Sequence, residues 1–128
     1  MIASKITSLT SQEMAEDILM YITSHDWVTY AELQRRYGDQ AQGALAHTLE
    51  NENLILWTGM SSLFADAMNL LQKNKAIHPH ISGYLTYLVD GIIPNLPIAK
   101  RNISYKRPHW VPVVFRLGSS CTHEDCPF

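Results

Sequence analysis

Three groups of side chains in this sequence have the types and spacing to do chemistry or to grip a charged partner. The first is a polar set between positions 35 and 47: Arg35, Arg36, Gln40, Gln42 and His47. Gln can bond bidentately to adenine and Arg to guanine or phosphate, so this set could contact nucleic acid. Glu50, close behind, would repel a phosphate. The second is the basic run KRNISYKRPHW, where Lys100, Arg101, Lys106 and Arg107 interleave with Tyr105 and Trp110. Cations beside aromatic rings can hold a sugar-phosphate backbone and stack on bases. A hairpin loop that shields a sheet edge with charge would read the same way. The run could also meet an acidic protein surface, including the acidic first half of a second copy. The third group is Cys121, His123 and Cys126, with His78, His80 or His109 as a possible fourth zinc ligand. Their C-x-H-x-x-C order lacks the paired CxxC or HxxxH units usual in structural zinc sites, and they sit where chains fray. The expectation is a tail, with no metal and no cofactor.

Catalysis has little to stand on. There is no Gly-rich phosphate loop, no G-x-S-x-G elbow and no H-E-x-x-H, so an enzyme is not expected. Both cysteines fall in the last eight residues, which leaves no disulfide framework. The 128 residues suit one domain, and 46% hydrophobic with 17% charged content suits a packed core. No apolar run is long enough to cross a bilayer and no signal peptide opens the chain, so the reading is a soluble cytoplasmic protein without membrane contact. The net charge of −2 hides an asymmetry. Residues 1–58 carry three basic against eight acidic side chains, and residues 59–128 seven against four. An anionic partner would therefore meet the second half.

The elements that must position these groups follow from local signals. Thr10 and Glu13 form a capping box ahead of a helix whose buried stripe is Met14, Ile18, Leu19 and Ile22. Trp27 and Val28 are a short extended piece. Thr29 and Glu32 repeat the box and open a second helix, with Ala31, Leu33 and Tyr37 inward and Gly38 as its stop. A third helix is expected over 40–51, with Ala41, Ala44, Leu45, Thr48 and Leu49 inward and Gln40, Gln42, His47 and Glu50 outward. A strand over 54–57 follows. For 61–75 two readings compete: a second strand at Leu63 and Phe64 running into a helix, or a helix from Ser62. The strand reading is preferred. Ile81, Tyr84, Leu85 and Leu88 then share a helical face, opened by Pro79. Val111, Val113, Phe115 and Leu117 alternate as a strand that Pro112 pushes to an edge or a bulge, with 98–105 as its candidate hairpin partner. Trp27, Trp57 and Trp110 read as core or edge packing.

The segments AELQRRYG, GALAHTLENENLILW and SSLFADAMNLL together resemble the winged helix-turn-helix family over roughly 12–75. The resemblance implies an α+β fold, a winged helix-turn-helix core with an added C-terminal helix and β-hairpin. It divides a single domain, 1–128, into the core (12–75), a helix plus basic hairpin (76–118) and a tail (119–128). It also implies DNA binding, with Gln40, Gln42 and His47 on the third helix at base edges and Arg35 and Arg36 on phosphates. Lys100, Arg101, Lys106 and Arg107 are the further contacts. The implied role is a transcriptional regulator acting as a homodimer over paired half-sites. The alternative is an interaction module of the same fold that has lost DNA and docks a protein through its basic half.

Overall fold

The computed structural model describes residues 9–25, 27–49, 53–82, 87, 94–99 and 105–118. The fold is α+β. Helix α1 (Ser11–His25) leads to strand β1 (Val28–Thr29), helix α2 (Tyr30–Tyr37) and a 3-10 turn (Gly38–Ala41). Strands β2 (Gln42–Thr48) and β3 (Leu54–Met60) precede helix α3 (Ser62–Lys73), and β4 (Ile77–Ile81), β5 (His109–Trp110) and β6 (Val113–Leu117) complete the order. The described residues form two three-stranded sheets, in the orders β1-β6-β4 and β2-β3-β5. No helix among the described residues is long and apolar enough to cross a membrane.

The capping signals act as expected. The Thr10 hydroxyl accepts from Glu13 N at 3.1 Å and the Glu13 carboxylate accepts from Thr10 N at 3.0 Å. These bonds hold the exposed Glu13 carboxyl below its ordinary pKa. Met14, Ala15, Ile18 and Ile22 form the buried face of α1. Thr29 caps α2 by accepting from Glu32 N, and Gly38 ends it at φ +59.

Four expectations are corrected. The third helix of 40–51 is a 3-10 turn and then strand β2, paired antiparallel with β3. Of its supposed inner stripe, Ala41 is buried but Ala44 and Leu45 are exposed. Helix-forming Ala, Leu and Gln lose here to cross-strand pairing, because local propensity is small beside a ladder with β3. Gly43 makes the crossing possible: a Cβ there would stand 2.6 Å from the Met60 carbonyl oxygen and 2.7 Å from Ser61 Cα.

Second, residues 61–75 hold helix and no wing strand. Ser61 caps α3 at φ −72, ψ 160 and accepts from Phe64 N, which commits Leu63 and Phe64 to the first turn. Phe64, Ala67, Met68 and Leu71 bury that helix, which packs on α1. Its C-terminus closes by two reversed bonds, Lys75 N to Gln72 O at 3.1 Å and Ala76 N to Leu71 O at 2.9 Å. Lys75 takes φ +60, the position where Gly is usual.

Third, residues 78–81, expected to open a helix, are strand, while Tyr87 further on is helical. Pro79 sits in β4, opposite Phe115, on an outer strand where a missing N–H is tolerated. Tyr84, Leu85 and Leu88, expected to extend that helix, lie outside the described residues.

Fourth, Pro112 does not leave its strand at an edge. It separates β5 from β6, and β6 is the central strand between β1 and β4. Of the expected hairpin partner, 98–105, Ile98 and Ala99 meet β5 instead. Ile98 bridges Trp110 in parallel, with Ala99 N to Trp110 O at 2.8 Å and Trp110 N to Pro97 O at 2.7 Å.

The core lies between the sheets and helices and is centred on Tyr30, which is fully buried. Its ring stacks on Trp57 at 5.9 Å and meets Phe64 and Phe115 edge-on at 5.8 and 4.8 Å. Tyr87 joins the halves: its hydroxyl donates to Val113 O at 2.7 Å and accepts from Tyr30 N at 3.1 Å. Such ring pairs contribute about 0.5–1.5 kcal/mol each beyond the area they bury.

Candidate functional site

The polar set between positions 35 and 47 is divided between two places. Arg35, Arg36 and Gln40 line one cleft of about 500 Å³ with Leu9, Asp17, Tyr37 and Gly38. Arg36 is already occupied there. Its Nε and Nη2 donate to the two oxygens of Asp17 at 3.0 and 3.2 Å, and its guanidinium lies 4.6 Å over the Tyr21 ring. Tyr37 donates its hydroxyl to the same carboxylate. Burial alone would raise the Asp17 pKa, but these hydrogen bonds outweigh it and hold the carboxyl below its usual range. Burial and the Asp17 carboxylate push the Tyr37 phenol up, and Asp17 raises Arg36 further. Arg35 is exposed, and the Gln40 carbonyl accepts the Ser61 hydroxyl at 2.6 Å.

Gln42 and His47 lie on β2 and not on a helix face. Gln42 is exposed. His47 is partly buried, its Nδ1 paired with the Tyr30 hydroxyl and its ring edge-on to Tyr30 at 5.8 Å. Burial lowers its pKa from 6.5 to about 4, and burial followed by the nearby Tyr87 raises Tyr30 well above its ordinary value. The pair stands at a second cleft, about 230 Å³, lined by Ala46, Thr48, Met60, Ala65, Met68 and Asn69.

The basic run takes a third position. Lys106 and Arg107 are exposed ahead of β5, and Lys100 and Arg101 lie outside the described residues. The loop is fastened to the turn before β3, since Asn53 Nδ2 donates to Tyr105 O at 2.6 Å and His109 N to Asn53 O at 2.7 Å. Tyr105 stacks on His109 at 3.8 Å. Cys121, His123 and Cys126 lie outside the described residues.

A further group, absent from the sequence reading, gathers on the sheet β1-β6-β4. His78 pairs with Arg116 and His80 with Val114, so the pleat places these four on one face, where His80 and Val114 are buried and His78 and Arg116 are partly exposed. Trp27, which leads into β1, sits under this face. The Arg116 guanidinium is 4.4 Å over its ring and His80 meets it edge-on at 5.1 Å. Trp27 is 48% exposed and held at φ +52, a region that non-Gly residues seldom adopt. With exposed Lys73 and Lys75 at the turn before β4, the described part of this sheet and turn carries cations and no carboxylate. The sequence signal available was the lack of acid over 91–120. The contact of Trp27 with Arg116 had none, because it spans nearly the whole chain.

No protein-family model, curated protein or solved structure matches this chain.

Proposed function

We propose that this chain is a winged-helix-type interaction module that receives an acidic segment of a protein partner on the sheet β1-β6-β4, and does not read DNA sequence. Two observations bear on the scaffold. Setting aside the stretches 38–61 and 82–112 leaves α1, β1, α2, α3 and the paired strands β4 and β6. This order supports a winged-helix reading in which α3 follows α2 and β4 with β6 stand as the wing, although the 42–57 segment that suggested the resemblance forms β2 and β3. The 38–61 stretch contributes β2 and β3 and the 82–112 stretch contributes β5, so the second sheet is built from these two stretches.

The observation that carries the functional reading is the half-exposed Trp27 under Arg116 on a sheet with no described carboxylate. Trp and Arg dominate the energetically important positions of protein interfaces, and surface cations steer an acidic partner. Holding Trp27 at positive φ costs about 1–2 kcal/mol, a cost tolerated where a side chain must be presented. The DNA alternative lacks charge. The exposed positions of α3 at helical spacing are Ser62, Asp66, Asn69 and Lys73, one anion for one cation, and Arg36 is neutralised by Asp17.

The test follows the emission of Trp27, the exposed one of three tryptophans, while titrating an acidic peptide of alternating Glu and Phe and, separately, random duplex DNA. The expected result is salt-sensitive binding of the peptide, weakened about tenfold or more by Arg116→Ala. Binding of duplex DNA at low salt, weakened by Asn69→Ala and Lys73→Ala but not by Arg116→Ala, would overturn the proposal in favour of DNA contact through α3.

A further inference from the structure

The cleft beside Tyr30 and His47 is separate from the sheet that carries Trp27, and its chemistry selects a different kind of molecule. Tyr30 is fully buried, and His47 Nδ1 is the one acceptor its hydroxyl reaches among the described residues. If Nδ1 held the proton instead, the phenol hydrogen would be buried without an acceptor, which is costly. The phenol therefore donates, Nδ1 accepts, and the ring proton of the neutral imidazole sits on Nε2. Nε2 has no partner among the described residues and is not sealed from solvent. The result is an oriented N–H donor, fixed from behind by Tyr30, at the wall of a cavity of about 230 Å³.

The rest of the lining narrows the class. Ala46, Ala65, Met60 and Met68 supply apolar surface, and Met side chains adapt to small irregular ligands. Asn69, exposed on α3, offers a carboxamide with both a donor and an acceptor, and Thr48 offers a hydroxyl. No lining side chain is charged, since His47 is neutral. An anion entering would lose hydration with no counter-charge among the described lining residues, and a cation likewise.

We propose that this cleft is a binding site for a small uncharged ligand carrying an amide or similar carbonyl on a short branched apolar body. Its carbonyl oxygen accepts from His47 Nε2, its N–H donates to Asn69 Oδ1, and its apolar end packs on Met60 and Met68. The cavity is smaller than those that take drug-sized molecules, ~300–1,000 Å³. The matching ligand has on the order of six to ten heavy atoms, and affinity for a minimal probe is about millimolar.

The experiment titrates isobutyramide, and in parallel isobutyrate, into the ¹⁵N-labelled protein at pH 7 while following the His47 ring nitrogens and the amides of β2 and α3. The expected result is a saturable shift of His47 Nε2 with isobutyramide and none with isobutyrate. Asn69→Ala, a change at an exposed helical position that suits Ala, should weaken isobutyramide about five- to tenfold without unfolding the protein. Ala65→Leu, which fills the cleft from its helical wall, should abolish the shift while the amides away from the cleft keep their positions. Isobutyrate binding as tightly as isobutyramide, an Asn69→Ala affinity equal to wild type, or no saturable shift would each overturn the proposal.

Discussion

Acid should loosen this fold before its carboxylates begin to titrate, and His47 is the reason. Burial of its ring lowers its pKa from 6.5 to about 4 in the folded protein. Unfolding returns the ring to water and to the ordinary value near 6.5. Because the folded value is the lower one, the unfolded chain binds a proton that the native state refuses. Stability is therefore independent of this group above about pH 6.5 and falls as the pH drops toward 4, at a limiting slope of about 1.4 kcal/mol per pH unit. The two values together give a loss of at most roughly 3 kcal/mol, a large part of the ~5–15 kcal/mol typical of a native domain. Below about 4 the native ring also protonates and this contribution levels off. Asp17 acts in a separate, lower window: its depressed pKa stabilises the fold above the carboxylate range and is lost as the pH falls through it.

The assay is urea denaturation followed by tryptophan fluorescence at half-unit steps from pH 4.5 to 7.5, for wild type and His47→Asn. Asn places its amide oxygen near the position of Nδ1, so the Tyr30 phenol keeps an acceptor while the titrating group is gone. Wild type should lose stability across this window and His47→Asn should stay nearly flat. Parallel curves for the two proteins, or a native His47 that titrates near 6.5, would refute the reasoning.

Gly43→Ala puts a Cβ 2.6 Å from the Met60 carbonyl oxygen, and backbone on backbone cannot yield cheaply. It should destabilise by about 1–3 kcal/mol or more, seen as a lower urea midpoint. Tyr87→Phe removes a hydroxyl that satisfies both Val113 O and Tyr30 N inside the core. A loss of about 2–3 kcal/mol is expected with little change in far-UV circular dichroism. Lys75→Gly should raise stability by roughly 0.5–1 kcal/mol, since Lys75 occupies the left-handed cap of α3 at φ +60, and thermal unfolding would register it as a higher midpoint.

What the sequence disclosed about this fold was its local chemistry. Thr10 with Glu13, Thr29 with Glu32, and Gly38 as a stop are contained within one turn of helix each, and each is found where the residues place it. The 40–51 segment misled because its composition favours helix, while its actual state depends on β3, a partner further along the chain, and on the fit of Gly43 against Met60. Pro79 is ambiguous by nature: the missing N–H that suits a first helical turn suits an outer strand equally well. The same division holds for the sites. Arg35, Arg36 and Gln40 are near in sequence and share a cleft, but the Asp17 that occupies Arg36 comes from another helix. Neither Tyr30 behind His47 nor Trp27 under Arg116 has any signature at the level of single positions.

The placement of β6 between β1 and β4 also governs how the chain reaches this structure. Val28 meets Phe115 and Thr29 meets Val114, so the first strand waits for residues more than eighty positions downstream. Pairings of such span fold slowly, because the entropy of closing a long loop precedes any contact energy. On a ribosome the helices can condense early, but Val28 and Ile77 face an empty lane until 113–117 emerges. A nascent or truncated chain halted before Val113 would carry two open strand edges at that lane, the condition that invites aggregation during synthesis.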